Sequence, residues 1–169
     1  MKGNNGKGNV IERDEWETPE ELFRKLHSQY NFYFDCCATR ENTKTEFYAK
    51  DFLNVNKKDF YNEMCWINPP FSKAKEILEH FFKVVDVGVG IYRADNFETK
   101  IWQNIIFKNA DWVFIPKGRV NYEGMKGSGC RFPSALFGIN CEPPKNVDGQ
   151  ILFVKNKNVD IKVIPQVGE

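Results

Sequence analysis

The chain has 169 residues, of which 41% are hydrophobic and 15% aromatic, so it is long enough for one domain with a real core and too apolar to be mostly disordered. No apolar run approaches the roughly 20 residues of a membrane span, so a soluble protein with no membrane association is expected. With a formal net charge of +1, any nucleic-acid contact must come from a local basic patch, because the global field is weak.

The opening Met1-Lys2-Gly3-Asn4-Asn5-Gly6-Lys7-Gly8-Asn9 lacks the apolar stretch of a secretory signal. It reads as a flexible arm over residues 1–13, with residues 14–169 forming a single domain. The first helix is expected at Thr18-Pro19-Glu20-Glu21. There Thr18 suits the N-cap, Pro19 the first helical position, and Glu21 the third position of a capping box. Leu22, Phe23, Leu26 and Tyr30 then recur on one face.

Phe32 to Cys36 is an aromatic, strand-like run ending in an acid, and a polar stretch follows through Thr45. A second strand, Met64-Cys65-Trp66-Ile67, runs into Asn68-Pro69-Pro70-Phe71. The next helix is expected to be capped by Ser72, with Ala74, Ile77, Leu78, Phe81 and Phe82 at helical spacing. Val84-Val85 and Val87 to Tyr92 read as a buried strand, Phe97 to Phe107 as a third helix, and Trp112 to Ile115 as a strand ended by Pro116. After a loop rich in Gly, Lys and Arg, Ser134 to Ile139 and Gln150 to Val154 look like late strands. This alternation predicts an α/β fold with a mainly parallel sheet covered by helices. In such sheets ligands bind beyond the carboxyl ends of the strands. Asp35, Asn68 and Arg93 each follow an apolar strand and would share that edge.

Asn68-Pro69-Pro70-Phe71 carries the sharpest chemistry. Two prolines restrict the backbone, leaving the Asn68 side chain and the Pro69 carbonyl few orientations. An aromatic exocyclic amine is a poor nucleophile, because its lone pair is delocalised into the ring. Accepting both amine hydrogens, one on the Asn oxygen and one on a backbone carbonyl, favours a pyramidal nitrogen whose lone pair faces an electrophilic methyl. Phe71 offers a stacking surface for a base taken out of the duplex. A plain Pro-Pro turn entering a helix is the alternative reading.

Elsewhere the residues speak less specifically. Asp35-Cys36-Cys37-Ala38 combines an acid suited to an ammonium group with small residues that let the backbone approach a ligand, although an ordinary strand end explains them equally well. Asp51-Phe52-Leu53 and Asp59-Phe60 would each pair a carboxylate for ribose hydroxyls or an adenine amine with an apolar surface for the ring, or else are solvated loop acids. Arg93 could meet a phosphate or a carboxylate. Lys117, Arg119, Tyr122, Lys126, Arg131 and Phe132 form a basic, aromatic segment punctuated by Gly118, Gly124, Gly127 and Gly129, suited to DNA backbone contact or base-step insertion. Five cysteines without a C-x-x-C pair fit a reducing cytoplasm. Cys36, Cys37 and Cys65 read as core packing, with no metal expected.

These motifs resemble the phage-type DNA N-6-adenine methyltransferases, the Dam-like family carried by bacteriophages and prophages. The resemblance runs in order from about residue 14 to residue 140, through Trp16-Glu17-Thr18-Pro19, Phe34 to Ala38, Trp66 to Ser72, the strand ending at Arg93, Gly118-Arg119, and Arg131 to Leu136. It implies a Rossmann-like fold, S-adenosylmethionine as donor, adenine in double-stranded DNA as acceptor, and the cytoplasm of a bacterial or phage-infected cell. It places Asn68, Pro69, Pro70 and Phe71 in the catalytic motif and Asp35, Cys36, Cys37 and Ala38 in the donor loop. Trp16, Thr18 and Pro19 would stand beside the donor's methionine part, and Asp59 and Phe60 at its adenine. Asp35 and Asn68 lie too close in sequence for two full strand-helix units, so an abbreviated donor half is expected. Methylation of cytosine N4, or a DNA-binding module that has lost the donor, are the alternatives.

Overall fold

The computed structural model describes residues 13–127 and 129–155. The arm expected over residues 1–13 therefore lies, except for Arg13, outside the described residues. Helix α1 (Glu20–Tyr30) buries Phe23, Leu26 and Tyr30 and ends at Asn31, whose φ of 53° places it in the left-handed region. Its start differs from the sequence expectation. Pro19 occupies the cap position, and its carbonyl accepts the first helical bond, from the Phe23 N–H at 3.0 Å. Thr18 thus sits one residue too far out to cap. The exposed helix end is satisfied from a distance instead: Glu123 Oε1 accepts the Glu20 N–H at 2.8 Å.

Strands β1 (Phe34–Asp35), β2 (Phe47–Tyr48), β3 (Met64–Ile67) and β4 (Val87–Arg93) follow. β1 is shorter than its aromatic run suggested, although the Tyr33 N–H donates to Met64 O at 2.8 Å and the Cys36 N–H to Trp66 O at 2.9 Å on either side of it. Between β3 and β4, a 3₁₀ turn at Phe71–Lys73 leads into α2 (Ala74–Val84). This helix buries Ala74, Ile77, Leu78, Phe81 and Val84. Val84 therefore closes the helix and does not open the strand. The expected third helix is a π-helical segment, Ile101–Ile106, continuing into a short α3 (Phe107–Asn109), with Trp102, Ile105 and Ile106 buried. Strands β5 (Trp112–Pro116), β6 (Ser134–Ile139) and β7 (Gly149–Val154) follow.

The seven strands form one sheet in the order β2-β1-β3-β4-β6-β5-β7. β2, β1, β3 and β4 are mutually parallel, whereas β6 is antiparallel to both β4 and β5 and β7 is antiparallel to β5. The sheet is therefore mixed, which corrects the mainly parallel expectation. A covering helix crosses over between β3 and β4, as parallel pairing requires, whereas β5 lies antiparallel between β6 and β7, which run in the same sense as each other. The sheet separates two apolar clusters, one including Phe81, Trp102 and Phe137 and the other Phe23, Trp66 and Trp112. Their rings approach the backbone closely: a Cβ on Gly138 would stand 2.3 Å from the Trp112 indole. Because β1, β3 and β4 run parallel, Asp35, Asn68 and Arg93 emerge along one edge of the sheet, as expected.

Candidate active site

Beyond the carboxyl ends of β1 and β3 lies a cleft of about 370 Å³. Its walls include Asp35 and Ala38 from the β1 loop, Asp51 and Phe52 from the 3₁₀ turn after β2, and Asn68 after β3. Residues 14–18 complete it from the amino-terminal side.

Asn68 is half-buried, and its Nδ2 donates to the Trp16 carbonyl at 3.2 Å. A carbonyl partner distinguishes the two ends of the amide, because only the NH₂ end can donate to it. The Oδ1 end is thus left as the acceptor. Pro69 is buried behind it. Phe71 belongs to an aromatic cluster, with its ring centroid 6.3 Å from Trp16, 6.1 Å from Tyr92 and 5.6 Å from Phe132. The Trp16 ring is itself stacked on Tyr122 and Phe132.

Asp35 is 5% exposed and lies on the cleft wall. Burial pushes its carboxyl up to about 6, opposed by hydrogen bonds from the Cys37 and Lys44 backbone N–H groups. The loop that follows is held by Ala38 N–H to Ala49 O, 3.0 Å, and Ala49 N–H to Asp35 O, 2.9 Å. Lys44 is largely buried and pairs with Glu20 at 3.3 Å and Glu17 at 3.8 Å. Thr18, 2% exposed, also lines the cleft, and its hydroxyl has no hydrogen-bond partner.

The structure brings Trp16, Thr18, Asp35, Cys37, Ala38, Asp51, Asn68 and Pro70 to one cleft. It does not bring Cys36, Asp59 or Phe60 there. Cys36 is fully buried beside Cys65, and desolvation pushes its thiol up strongly. Asp59 Oδ2 accepts the Asn56 N–H at 2.7 Å, capping a short 3₁₀ turn. Phe60 packs in the core against Phe34 and Phe52. Of the two expected apolar surfaces, the one beside Asp51, Phe52 with Leu53, lines the cleft, and Phe60 does not. Pro19 faces a neighbouring groove shared with Lys25, Lys117 and Arg119.

The basic loop is more ordered in its contacts than its glycines suggest. Glu17 and Glu123 exchange backbone hydrogen bonds of 3.1 and 2.9 Å, Arg119 donates to Cys130 O at 2.9 Å, and Asn121 Oδ1 accepts the Cys130 N–H at 2.9 Å. Positive φ at Gly118, Gly124, Gly127 and Gly129 allows these turns. Tyr122, expected among the DNA-contacting side chains, is 4% exposed and hydrogen-bonded to Ser134 at 2.8 Å. It shapes the loop from inside and is not free to insert between bases. Lys117, Arg119, Lys126 and Arg131 are exposed. Arg93 already binds Asp95 through two nitrogens, at 2.8 and 2.5 Å, and its guanidinium lies 4.5 Å from the centre of the Phe132 ring.

Sequence reasoning missed Asp14, Lys44 and Glu123. Asp14 Oδ1 accepts the Ser72 N–H at 2.9 Å and its other oxygen accepts the Ser72 hydroxyl. Ser72 is thereby engaged by Asp14 and does not cap α2 with its own side chain, as the sequence had suggested. Asp14 directly follows the expected arm, and only the Trp16 motif beside it hinted at a site.

An α/β domain with a mixed seven-stranded sheet and a cleft beyond its parallel strand ends is consistent with a methyltransferase-like fold. The chain belongs to the DNA N-6-adenine-methyltransferase (Dam) family, whose model matches residues 6–164. It is 35% identical over 77 residues to a DNA N-6-adenine-methyltransferase of Escherichia phage T1, a match covering 40% of this chain and 32% of that protein. The chain thus spans about a third of the length of this curated relative. Among the described residues no helix is long and apolar enough to cross a membrane.

Proposed function

We propose that this chain transfers a methyl group from S-adenosylmethionine to the N6 amino group of adenine in double-stranded DNA. The observation that carries this reading is the Asn68 amide, held by its Nδ2 on the Trp16 carbonyl with Oδ1 left to accept. In this reading Asn68 Oδ1 and the Pro69 carbonyl accept the two amine hydrogens and hold the nitrogen lone pair toward the methyl. Asn68 takes no proton, so the proton released on nitrogen passes to water, and the contribution of the motif is orientation and charge stabilisation. Phe71 and its aromatic neighbours supply an apolar surface for a base swung out of the helix.

The cleft fits the donor in size and chemistry. Its volume falls in the range typical of small-ligand sites. The unpaired, buried Thr18 hydroxyl offers a polar group in want of a partner. Asp35 suits the donor's ammonium, Asp51 its ribose hydroxyls, and Phe52 with Leu53 its purine. When bound, the sulfonium supplies the electrophilic methyl. The strand order accords with a Rossmann-like sheet abbreviated on the donor side, since among the described residues only the two-residue β2 lies beyond β1. Lys117, Arg119, Lys126 and Arg131 supply phosphate contacts for the duplex. Arg93, neutralised by Asp95, serves the aromatic wall more than a phosphate.

Transfer of tritium from labelled donor to duplex DNA tests the reading, with Asn68→Ala as control. Incorporation by the wild type and loss in the variant are expected. Equal incorporation by both removes Asn68 from the mechanism. DNA binding without heat on titration with S-adenosylhomocysteine would instead mark a module that has lost the donor.

A further inference from the structure

We propose that Asp14, outside every motif considered above, is a positioning residue that sets the Asn68 amide for reaction. This inference rests on the methyl-transfer reading of the same site. Three contacts tie residues 14–17 across the front of the molecule. Asp14 holds Ser72 through both its carboxylate oxygens. Trp16 O accepts Asn68 Nδ2. Glu17 pairs through its backbone with Glu123 in the loop after β5.

The first two contacts straddle the catalytic motif, one on Asn68 and one on Ser72, and they come from residues only two apart. Fixing Asp14 on Ser72 therefore fixes where the Trp16 carbonyl stands relative to Asn68. Without that carbonyl, nothing named above distinguishes the oxygen from the nitrogen of the amide. A flipped amide would turn two N–H donors toward an amine whose hydrogens need acceptors, and would repel it. Asp14 also satisfies an N–H at the start of the 3₁₀ turn that leads into α2, where an anion is favourably placed. The carboxylate thus anchors the strap on the rigid side, while Trp16, stacked on Tyr122 and Phe132, anchors it on the other. Asp14 also lines the donor cleft, and direct contact with the donor is the competing role that the test must separate.

Turnover, donor affinity and amide exchange are to be measured on Asp14→Ala and Asp14→Asn. Asp14→Ala is expected to lower kcat on the order of a hundredfold, the scale of a small misplacement of a reacting group, while the Kd for S-adenosylhomocysteine stays unchanged. Asp14→Asn keeps an oxygen for the Ser72 N–H and is expected to recover part of the lost kcat. An unchanged kcat in Asp14→Ala overturns the proposal, and so does a loss confined to donor affinity. Hydrogen exchange of the Asn68 side-chain amide, assigned by its absence in Asn68→Ala, reads the strap without any activity. Exchange is expected to quicken in Asp14→Ala, and identical exchange overturns the proposal even if the wild type transfers no methyl. A wild type lacking transfer, with quickened exchange in the variant, would refute the functional reading and leave the strap standing.

Discussion

Asp35 offers a prediction in which stability and binding move in opposite directions. Burial raises its carboxyl from an ordinary 3.8 to about 6. The folded protein therefore holds this proton more tightly than the unfolded chain does. Between pH 4 and 6 the native state binds more protons, so stability falls as pH rises across that window and stays lower above it. A shift of this size corresponds to about 3 kcal/mol at pH 7. Asp35→Asn removes the ionisation while keeping an oxygen for the Cys37 N–H, 3.2 Å away in the wild type. The variant is therefore expected to be more stable than the wild type at pH 7 and to lose that advantage near pH 4. Denaturant unfolding at the two pH values measures it. If Asp35 holds the donor's ammonium, the wild-type Kd for S-adenosylhomocysteine should weaken about tenfold at pH 5, where roughly a tenth of a group titrating near 6 is ionised, and Asp35→Asn should bind weakly at both pH values. A variant destabilised at pH 7, or wild-type affinity flat from pH 5 to 7, would refute this reasoning.

Other expectations follow from single contacts. Thr18→Val leaves no hydrogen bond broken in the free protein, because the Thr18 hydroxyl has none; Tm should hold or rise while titration shows weaker S-adenosylhomocysteine binding. Glu123→Ala removes the acceptor of the Glu20 N–H, and loss of such a cap is expected to cost about 1 kcal/mol in denaturant unfolding. Lys117→Ala and Arg131→Ala should each weaken duplex binding across sequences and reduce the salt slope by about one, read by fluorescence anisotropy over a salt series.

The helices and strands carrying strong periodicity were legible in the sequence: α1 and α2 bury the faces their spacing indicated, and β5, β6 and β7 lie close to their expected bounds. The helix starts were not. Thr18 and Ser72 each look like caps from neighbouring residues, yet the Glu20 N–H is met by Glu123 and Ser72 is itself held by Asp14, and no local pattern encodes such distant partners. Parallel and antiparallel pairing likewise depends on connections, so the reversal of β6 was hidden in a loop that reads only as glycine-rich and basic. Within the site, Asn68 to Phe71 stood out because two prolines constrain a strand-to-helix turn. Tyr122 was misplaced because an aromatic among cations looks exposed until its partner Ser134 is known. Phe60 was likewise placed at the cleft by its neighbour Asp59, although its contacts with Phe34 and Phe52 put it in the core.

The most direct test is the identity of the modified base. Duplex DNA incubated with the protein and labelled S-adenosylmethionine is digested to nucleosides and separated. Orientation of an exocyclic amine by Asn68 predicts label in N6-methyladenine with the wild type and none with Asn68→Ala. Label in another nucleoside, or equal label in N6-methyladenine with both proteins, would contradict it.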